Sequence, residues 1–159
     1  MKFGLFYEIQ LPTPWVEGDD TRLFRETLQH IELADRLGID CLWAVEHHFL
    51  EDHSLSAAPE SWLPAAAART NRIRIGHGIA CLPPAFSHPA RIAERISTLD
   101  QVSGGRVEFG TGESASRMEL EGYGVDPGRK RDAYLEALEQ ICNMMAMTPY
   151  PGFEGKYFS

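Results

Sequence analysis

Apolar runs alternate with amphipathic stretches along this chain, and each run is followed by one such stretch. The runs are rich in β-branched and aromatic residues, and they predict strands at residues 2–8, 39–46, 73–81 and 106–110. A repeated strand–helix order predicts parallel strands, because each crossover helix returns the chain to the same end of the sheet. The pattern therefore indicates an α/β fold.

The amphipathic stretches carry apolar residues at helical spacing, and they predict helices at residues 20–37, 59–70, 89–102 and 134–145. Gly38 follows the first helix as a C-cap, and Pro59 and Pro89 suit the first position of the next two. A glycine-rich loop precedes the last helix. Residues 153–158 resemble a turn between two short strands.

Two architectures fit this order of elements, an open doubly wound sheet or part of a closed (β/α)₈ barrel. The open sheet is the simpler interpretation for 159 residues, because a full barrel needs about 250 residues. Half a barrel has the disadvantage of two unpaired strand edges. The open sheet has the disadvantage that the fourth strand leads into a further helix. We interpret residues 1–159 as the N-terminal half of one barrel domain, without an internal domain boundary.

Composition and charge exclude several classes of protein. The formal net charge of −8 gives no general attraction for nucleic acid or an anionic membrane. The N-terminus lacks the pattern of a signal peptide, and no apolar run is long enough to span a bilayer. We expect a cytoplasmic protein. Cys41, Cys81 and Cys142 lack CxxC spacing, so we expect buried free thiols.

The second strand ends in Glu46, His47 and His48, an acid followed by two imidazoles. His47 can give or take a proton near neutral pH, which makes it the candidate catalytic residue. It can equally be a structural histidine bonded to a neighbouring carbonyl. Glu46 can orient an imidazole or cap a backbone amide.

A metal site built from this segment and His53 is not expected. Adjacent strand residues point in opposite directions, so Glu46, His47 and His48 do not converge on one ion without a bend.

Glycines mark two further candidate positions. Gly76 and Gly78 lie inside the third strand, where glycine indicates close approach of a ligand or another backbone. The loop Gly110–Ser114 follows the fourth strand with short residues and free amides, although a lone GxG is weak support for a ligand site. The basic cluster 129–131 opens the last helix, where it can bind an anion or remain a solvated face.

Several short motifs occur in one order along the chain. They are Met1–Gly4, Gly38–Asp40, Trp43, Glu46–Phe49, Ala65–Ala67, Ile73–Gly76, Leu82–Pro83, His88–Pro89, Arg91, Glu94, Leu99–Gln101, Ser103–Arg106, Phe109–Gly110, Gly124 and Arg131. Taken together, this ordered set resembles the bacterial luciferase family of flavin-dependent monooxygenases over essentially the whole chain. The resemblance implies a TIM barrel of about twice this length.

The resemblance also implies a chemistry: monooxygenation of a small organic substrate with reduced FMN and O₂. It makes His47 the catalytically important histidine of the pair. It implies a non-proline cis peptide bond between Gly78 and Ile79 against the flavin ring. Glu46 and Gly112 are expected beside the same cofactor, with Gly112 in place of a reactive cysteine of luciferase.

Phosphate binding is where the chain departs from luciferase. Arg131 matches a phosphate-binding arginine of the family, whereas Glu113 stands where another phosphate-binding arginine is found. A glutamate repels phosphate, so the resemblance does not carry phosphate binding over to this loop.

The resemblance further implies partners: a homodimer through the second and third helices, a flavin reductase that supplies reduced FMN, and the missing half of the barrel. Three alternatives stay open. They are a deazaflavin (F420) enzyme that transfers hydride, a non-catalytic flavin-binding or oligomerisation module, and a metal-dependent barrel hydrolase.

Overall fold

The computed structural model describes residues 1–159, and its centre is one parallel sheet. The strands are β1 (Gly4–Tyr7), β2 (Cys41–Ala44), β3 (Arg74–Cys81) and β4 (Val107–Gly112), and they lie side by side in chain order. All four predicted strands are therefore confirmed. The first two are shorter than predicted, so Glu46 and His47 lie in the loop just beyond β2.

Five helices accompany the sheet. They are α1 (Asp19–Leu37), α2 (Pro59–Arg69), α3 (Pro89–Ser103), α4 (Arg117–Gly122) and α5 (Lys130–Ala146). Four of them match the predicted helices, and α4 was predicted as loop. Gly38 ends α1 with a positive φ of 83°, as its predicted capping role requires. No helix combines the length and the apolar character that crossing a membrane requires.

The helices cover one face of the sheet. Leu42, Ala44 and Ile75 point to this face and pack against residues of α1, α2 and α3, such as Ile31 and Leu63. A smaller cluster joins the end of β3 to α3 and α5. A doubly wound sheet carries helices on both faces, whereas strands in sequential order with helices on one face are typical of a (β/α)₈ barrel.

The opposite face of the sheet carries aromatic side chains between glycines. Phe6 is 61% exposed there. A Cβ added to Gly76 would lie 2.5 Å from the Trp43 ring and 2.7 Å from the Leu42 carbonyl oxygen. Only glycine therefore lets the indole of Trp43 lie flat across β3.

The amino-terminal ends of the strands are fixed by one buried carboxylate, that of Asp35, and by the partly buried guanidinium of Arg106. The Asp35 carboxylate accepts hydrogen bonds from the amides of residues 71–73 at 2.7–3.0 Å, which joins α1 to the start of β3. The Arg106 guanidinium donates to carbonyls of Ala67, Thr70 and Ile73. The charged residues at this end of the sheet therefore stabilise the fold.

The predicted C-terminal hairpin is wrong, because residues 153–158 form no strands. One backbone hydrogen bond closes the turn, from the Gly155 amide to the Phe158 carbonyl at 3.0 Å. The amides of Lys156 and Tyr157 instead donate to the Glu136 carboxylate of α5. Side-chain capping thus replaces the strand pairing that the apolar pattern suggested.

The three cysteines are free thiols, as predicted, but only Cys81 is buried. Cys41 is half-buried and Cys142 is exposed on α5. The prediction that all three are buried is therefore wrong for Cys142 and only partly met by Cys41.

His77 on β3 is buried on the helix side of the sheet, and burial lowers the pKa of its imidazole from 6.5 to about 4. Between pH 6.5 and pH 4 the imidazole of His77 is therefore protonated in the unfolded chain and neutral in the folded chain. The free energy of unfolding should therefore fall as the pH drops from 6.5 to 4, by at most about 3 kcal/mol. Urea unfolding of His77→Gln should show less of this loss, while the exposed His30→Gln should keep it.

Candidate active site

A cavity of about 350 Å³ opens at the carboxyl ends of β2, β3 and β4. It brings together five of the six predicted site residues, namely Glu46, His47, Gly78, Ile79 and Gly112. A second cavity of about 380 Å³ lies beside it and shares Glu46 and Cys81 with it. Catalytic groups of barrel enzymes cluster at this end of the strands, whereas the opposite end here holds the structural charges.

The imidazole of His47 contacts a carboxylate, not the carbonyl of the structural alternative. Its Nδ1 lies 2.9 Å from Oε1 of Glu119. Its Nε2 lies 3.7 Å from Oε2 of Glu8. The ring is partly exposed and lines the cavity. Both ring nitrogens of His47 therefore face carboxylates.

Glu119 was missed as a site residue. Its side chain is buried, and it accepts hydrogen bonds from the His47 ring, the His48 amide and the Ser114 hydroxyl. Burial alone raises the pKa of this carboxyl, but the hydrogen bonds from Ser114, His48 and His47 outweigh it and lower the pKa. Glu119 is therefore ionised, and the Nδ1 of His47 donates to it.

The sequence did contain a signal for this residue. Ser116 to Glu119 reads S-x-x-E, the pattern of a capping box at a helix start. Ser116 is the N-cap of α4 and accepts from the Glu119 amide at 3.4 Å. The Glu119 side chain does not return to Ser116, as a capping box would require, because it reaches the two histidines.

Glu46 does both things that were predicted as alternatives. Its Oε2 accepts from the Cys81 amide at 3.0 Å, and its Oε1 lies 3.1 Å from Nε2 of His48. The other nitrogen of His48 lies 3.1 Å from the Tyr123 hydroxyl. His48 is thus held between Glu46, two residues before it, and Tyr123 of a distant segment, and Glu46 joins the end of β3 to the loop after β2.

The peptide bond between Gly78 and Ile79 is cis, which confirms the predicted geometry. A Cβ on Gly112 would lie 2.8 Å from Cδ1 of Ile79. The space that a cysteine side chain would occupy at position 112 is therefore filled by Ile79. That these residues contact a flavin stays a prediction.

One residue of the basic cluster 129–131 lines the cavity, and it is Lys130 rather than the predicted Arg131. Lys130 lines the cavity, and its Nζ donates to the Ser114 carbonyl at 2.5 Å. Arg131 is 66% exposed and does not line it. Both cations lie 3.7 Å from the Glu113 carboxylate. Glu113 therefore occupies the position of an anion at this helix start.

The structure also groups metal-binding residue types in a way the sequence did not indicate. The expectation of no metal considered Glu46, His47, His48 and His53. The structure instead brings Glu8, which follows β1, to His47 and His53, with their donor atoms within 4.8 Å of one another.

Comparison with known proteins gives a consistent result. The family model described as "Luciferase-like monooxygenase" matches residues 1–159. Limonene 1,2-monooxygenase of Rhodococcus erythropolis is 36% identical over 91% of this chain and 36% of its own length. An F420-dependent glucose-6-phosphate dehydrogenase of Amycolatopsis mediterranei is 29% identical over 84% of this chain and 41% of its own length.

A solved structure gives the same fold. It is the oxygenating constituent of 3,6-diketocamphane monooxygenase from the CAM plasmid of Pseudomonas putida in complex with FMN. The TM-score is 0.86 at 26% identity, over 99% of this chain and 42% of that chain. The chain thus spans well under half the length of the relatives it matches, and the barrel-type α/β fold is confirmed.

Replacing Glu119 by glutamine should destabilise the protein. The amide keeps the shape of the side chain but lacks the negative charge, and it replaces one of the two oxygens that accept the three hydrogen bonds. We therefore expect a loss of about 1–3 kcal/mol in the free energy of unfolding. Urea unfolding measures this loss. Glu121→Gln, on the exposed side of the same helix, is the matched control and should change stability little; equal effects of both changes would contradict the assigned role.

Proposed function

This chain belongs to the luciferase-like monooxygenase family, and from that premise we propose that it carries the reaction site of a flavin-dependent oxidoreductase. The proposed reaction is monooxygenation of a small organic substrate with reduced FMN and O₂. The observation that supports it is the cavity where His47 meets the backbone of Gly78, Ile79 and Gly112. The activity of the whole protein is part of this proposal, since the chain covers 36% of the limonene enzyme.

The residues around the cavity suit a flat ring with a polar edge. Gly78 presents bare backbone, and a Cβ there would lie within 3.4 Å of both Trp43 and Phe6. Gly78, Ile79 and Gly112 would hold the ring. Reduced flavin, when bound, supplies the electrons that activate O₂.

Phosphate binding would fall to the cations at the start of α5. Lys130 faces the cavity, and Arg131 lies beside it against the ring of Tyr134. The helix terminus favours an anion there. A phosphate would have to displace Glu113 from both cations, so we expect weaker phosphate binding than an arginine at position 113 would give.

His47 is proposed to hold or move a proton at Nε2. Its Nδ1 is engaged by the ionised Glu119 carboxylate at 2.9 Å, which fixes the tautomer and the ring orientation. Nε2 is consequently the nitrogen that can exchange a proton with a bound molecule. Glu119 acts through His47 and is a positioning residue.

The partners are proposals of the same kind. The relative from Pseudomonas putida is described as an oxygenating constituent, which supports a separate flavin reductase as the source of reduced FMN. Exposed Val102 on α3 and exposed Ala68 on α2 support a homodimer through these helices. The exposed Phe6 on the inner face supports further strands that complete the barrel. The free thiols support a cytoplasmic location.

His47→Gln should lower turnover by about 10²–10⁴-fold, the usual contribution of a general acid–base group, while reduced flavin still binds. Stopped-flow oxidation of reduced FMN coupled to product formation measures the first quantity, and flavin fluorescence titration measures the second. His30→Gln, on the exposed side of α1, is the control. Unchanged turnover in His47→Gln would contradict the role proposed for His47, whereas flavin binding without turnover in the unsubstituted protein would favour a non-catalytic flavin-binding module.

The F420 alternative is supported by the Amycolatopsis relative, and reconstitution separates it from the FMN proposal. We expect the protein to bind reduced FMN and to consume O₂ in the presence of substrate. Absorption spectra after incubation with each cofactor, followed by turnover assays, check this. The monooxygenase proposal would be overturned if the protein transferred hydride with F420 and consumed no O₂ with reduced FMN.

A further inference from the structure

We propose that Glu8, His47 and His53 form a binding site for a divalent transition-metal ion such as zinc. Glu8 follows β1, His47 follows β2, and His53 lies in the loop that leads to α2. Oε2 of Glu8 lies 3.7 Å from Nε2 of His47 and 3.6 Å from Nε2 of His53. All three donor atoms lie within 4.8 Å of one another. The inference goes beyond the proposed function and does not rest on flavin binding.

The spacing of the donor atoms suits a small ion. Zinc binds imidazole nitrogen and carboxylate oxygen at about 2.0–2.2 Å, so two ligands on a tetrahedral ion lie roughly 3.4 Å apart. The two distances from Glu8 exceed this by only a few tenths of an ångström. His53 is half exposed, so its ring can close the remaining gap. Two histidines and one carboxylate suit zinc, iron or nickel and leave coordination positions open.

The Glu8 carboxylate gives a second, independent indication. Its Oε2 is shielded from solvent and has no hydrogen-bond partner. A carboxylate oxygen without a compensating donor is unfavourable in such a position. A cation between Glu8 and the two imidazoles would supply the missing interaction.

Glu119 completes the arrangement from the other side of the His47 ring. Nδ1 of His47 lies 2.9 Å from Glu119, so Nε2 is the ring nitrogen that faces Glu8. Nε2 of His47 and Oε2 of Glu8 are 3.7 Å apart. A proton can bridge only one pair of these atoms, and that distance is too long for a hydrogen bond. A metal ion bridges all three, and the carboxylate–histidine–metal order is the usual support of a metal-bound histidine.

The site shares His47 with the proposed reaction site. An ion on Nε2 removes the nitrogen that would exchange protons, so bound zinc would inhibit turnover. Metal binding itself is measured without flavin or substrate, which separates the failure of this proposal from the failure of the proposed function.

The test is a titration of chelator-treated protein with Co²⁺, a spectroscopic substitute for zinc, followed by visible absorption. We expect a one-to-one endpoint with d–d bands of a low-coordinate site, and displacement of the bands by Zn²⁺. Glu8→Gln and His53→Ala should abolish the bands. Glu119→Gln should weaken the affinity about 10–100-fold, as loss of a carboxylate behind a ligating histidine does.

His30→Ala is the matched control, because His30 is an exposed histidine on α1. It should leave the titration unchanged, and circular dichroism of each variant confirms that it is folded. The absence of d–d bands at stoichiometric Co²⁺ in the unsubstituted protein would overturn the proposal. Bands that persist in both Glu8→Gln and His53→Ala would overturn it as well.

Discussion

One buried carboxylate holds the candidate site together. Glu119 joins three segments. Its carboxylate accepts hydrogen bonds from the loop after β2 and from Ser114 after β4, and its backbone amide donates to Ser116, the N-cap of α4. A buried charge is stable only while such donors surround it. The docking of α4 and the orientation of His47 therefore depend on each other. If the carboxylate moved, both histidine contacts would be lost together.

The two ends of the sheet divide structural and chemical roles. At the amino-terminal end, Asp35 accepts hydrogen bonds from backbone amides and Arg106 donates to backbone carbonyls. These bonds stabilise the turns between helices and strands. At the carboxyl-terminal end, Glu119 contacts the imidazole of His47, and Glu46 contacts the imidazole of His48 and the Cys81 amide. Parallel strands produce this asymmetry, because every crossover places its strand-to-helix loop at the same edge.

Regular features of the sequence predicted the fold well. Strand-like runs, proline at helix starts and Gly38 at a helix end each act over a few residues, so they can be recognised without knowing the rest of the chain. The resemblance to the luciferase family added the cis bond at Gly78–Ile79, which periodicity does not indicate. The prediction of a C-terminal hairpin was wrong because backbone amides that strand pairing would have used donate to the Glu136 carboxylate, about 20 residues earlier in the chain.

The sequence by itself determined the βα order, the parallel sheet and the placement of His47 at the end of a strand, because these follow from local periodicity. Only the tertiary structure decided which groups surround that imidazole. Glu119 lies 72 residues away from it along the chain, and Glu8 reaches it only because β1 and β2 are neighbours. Side-chain contacts between distant segments depend on strand pairing and loop closure, which no local pattern specifies.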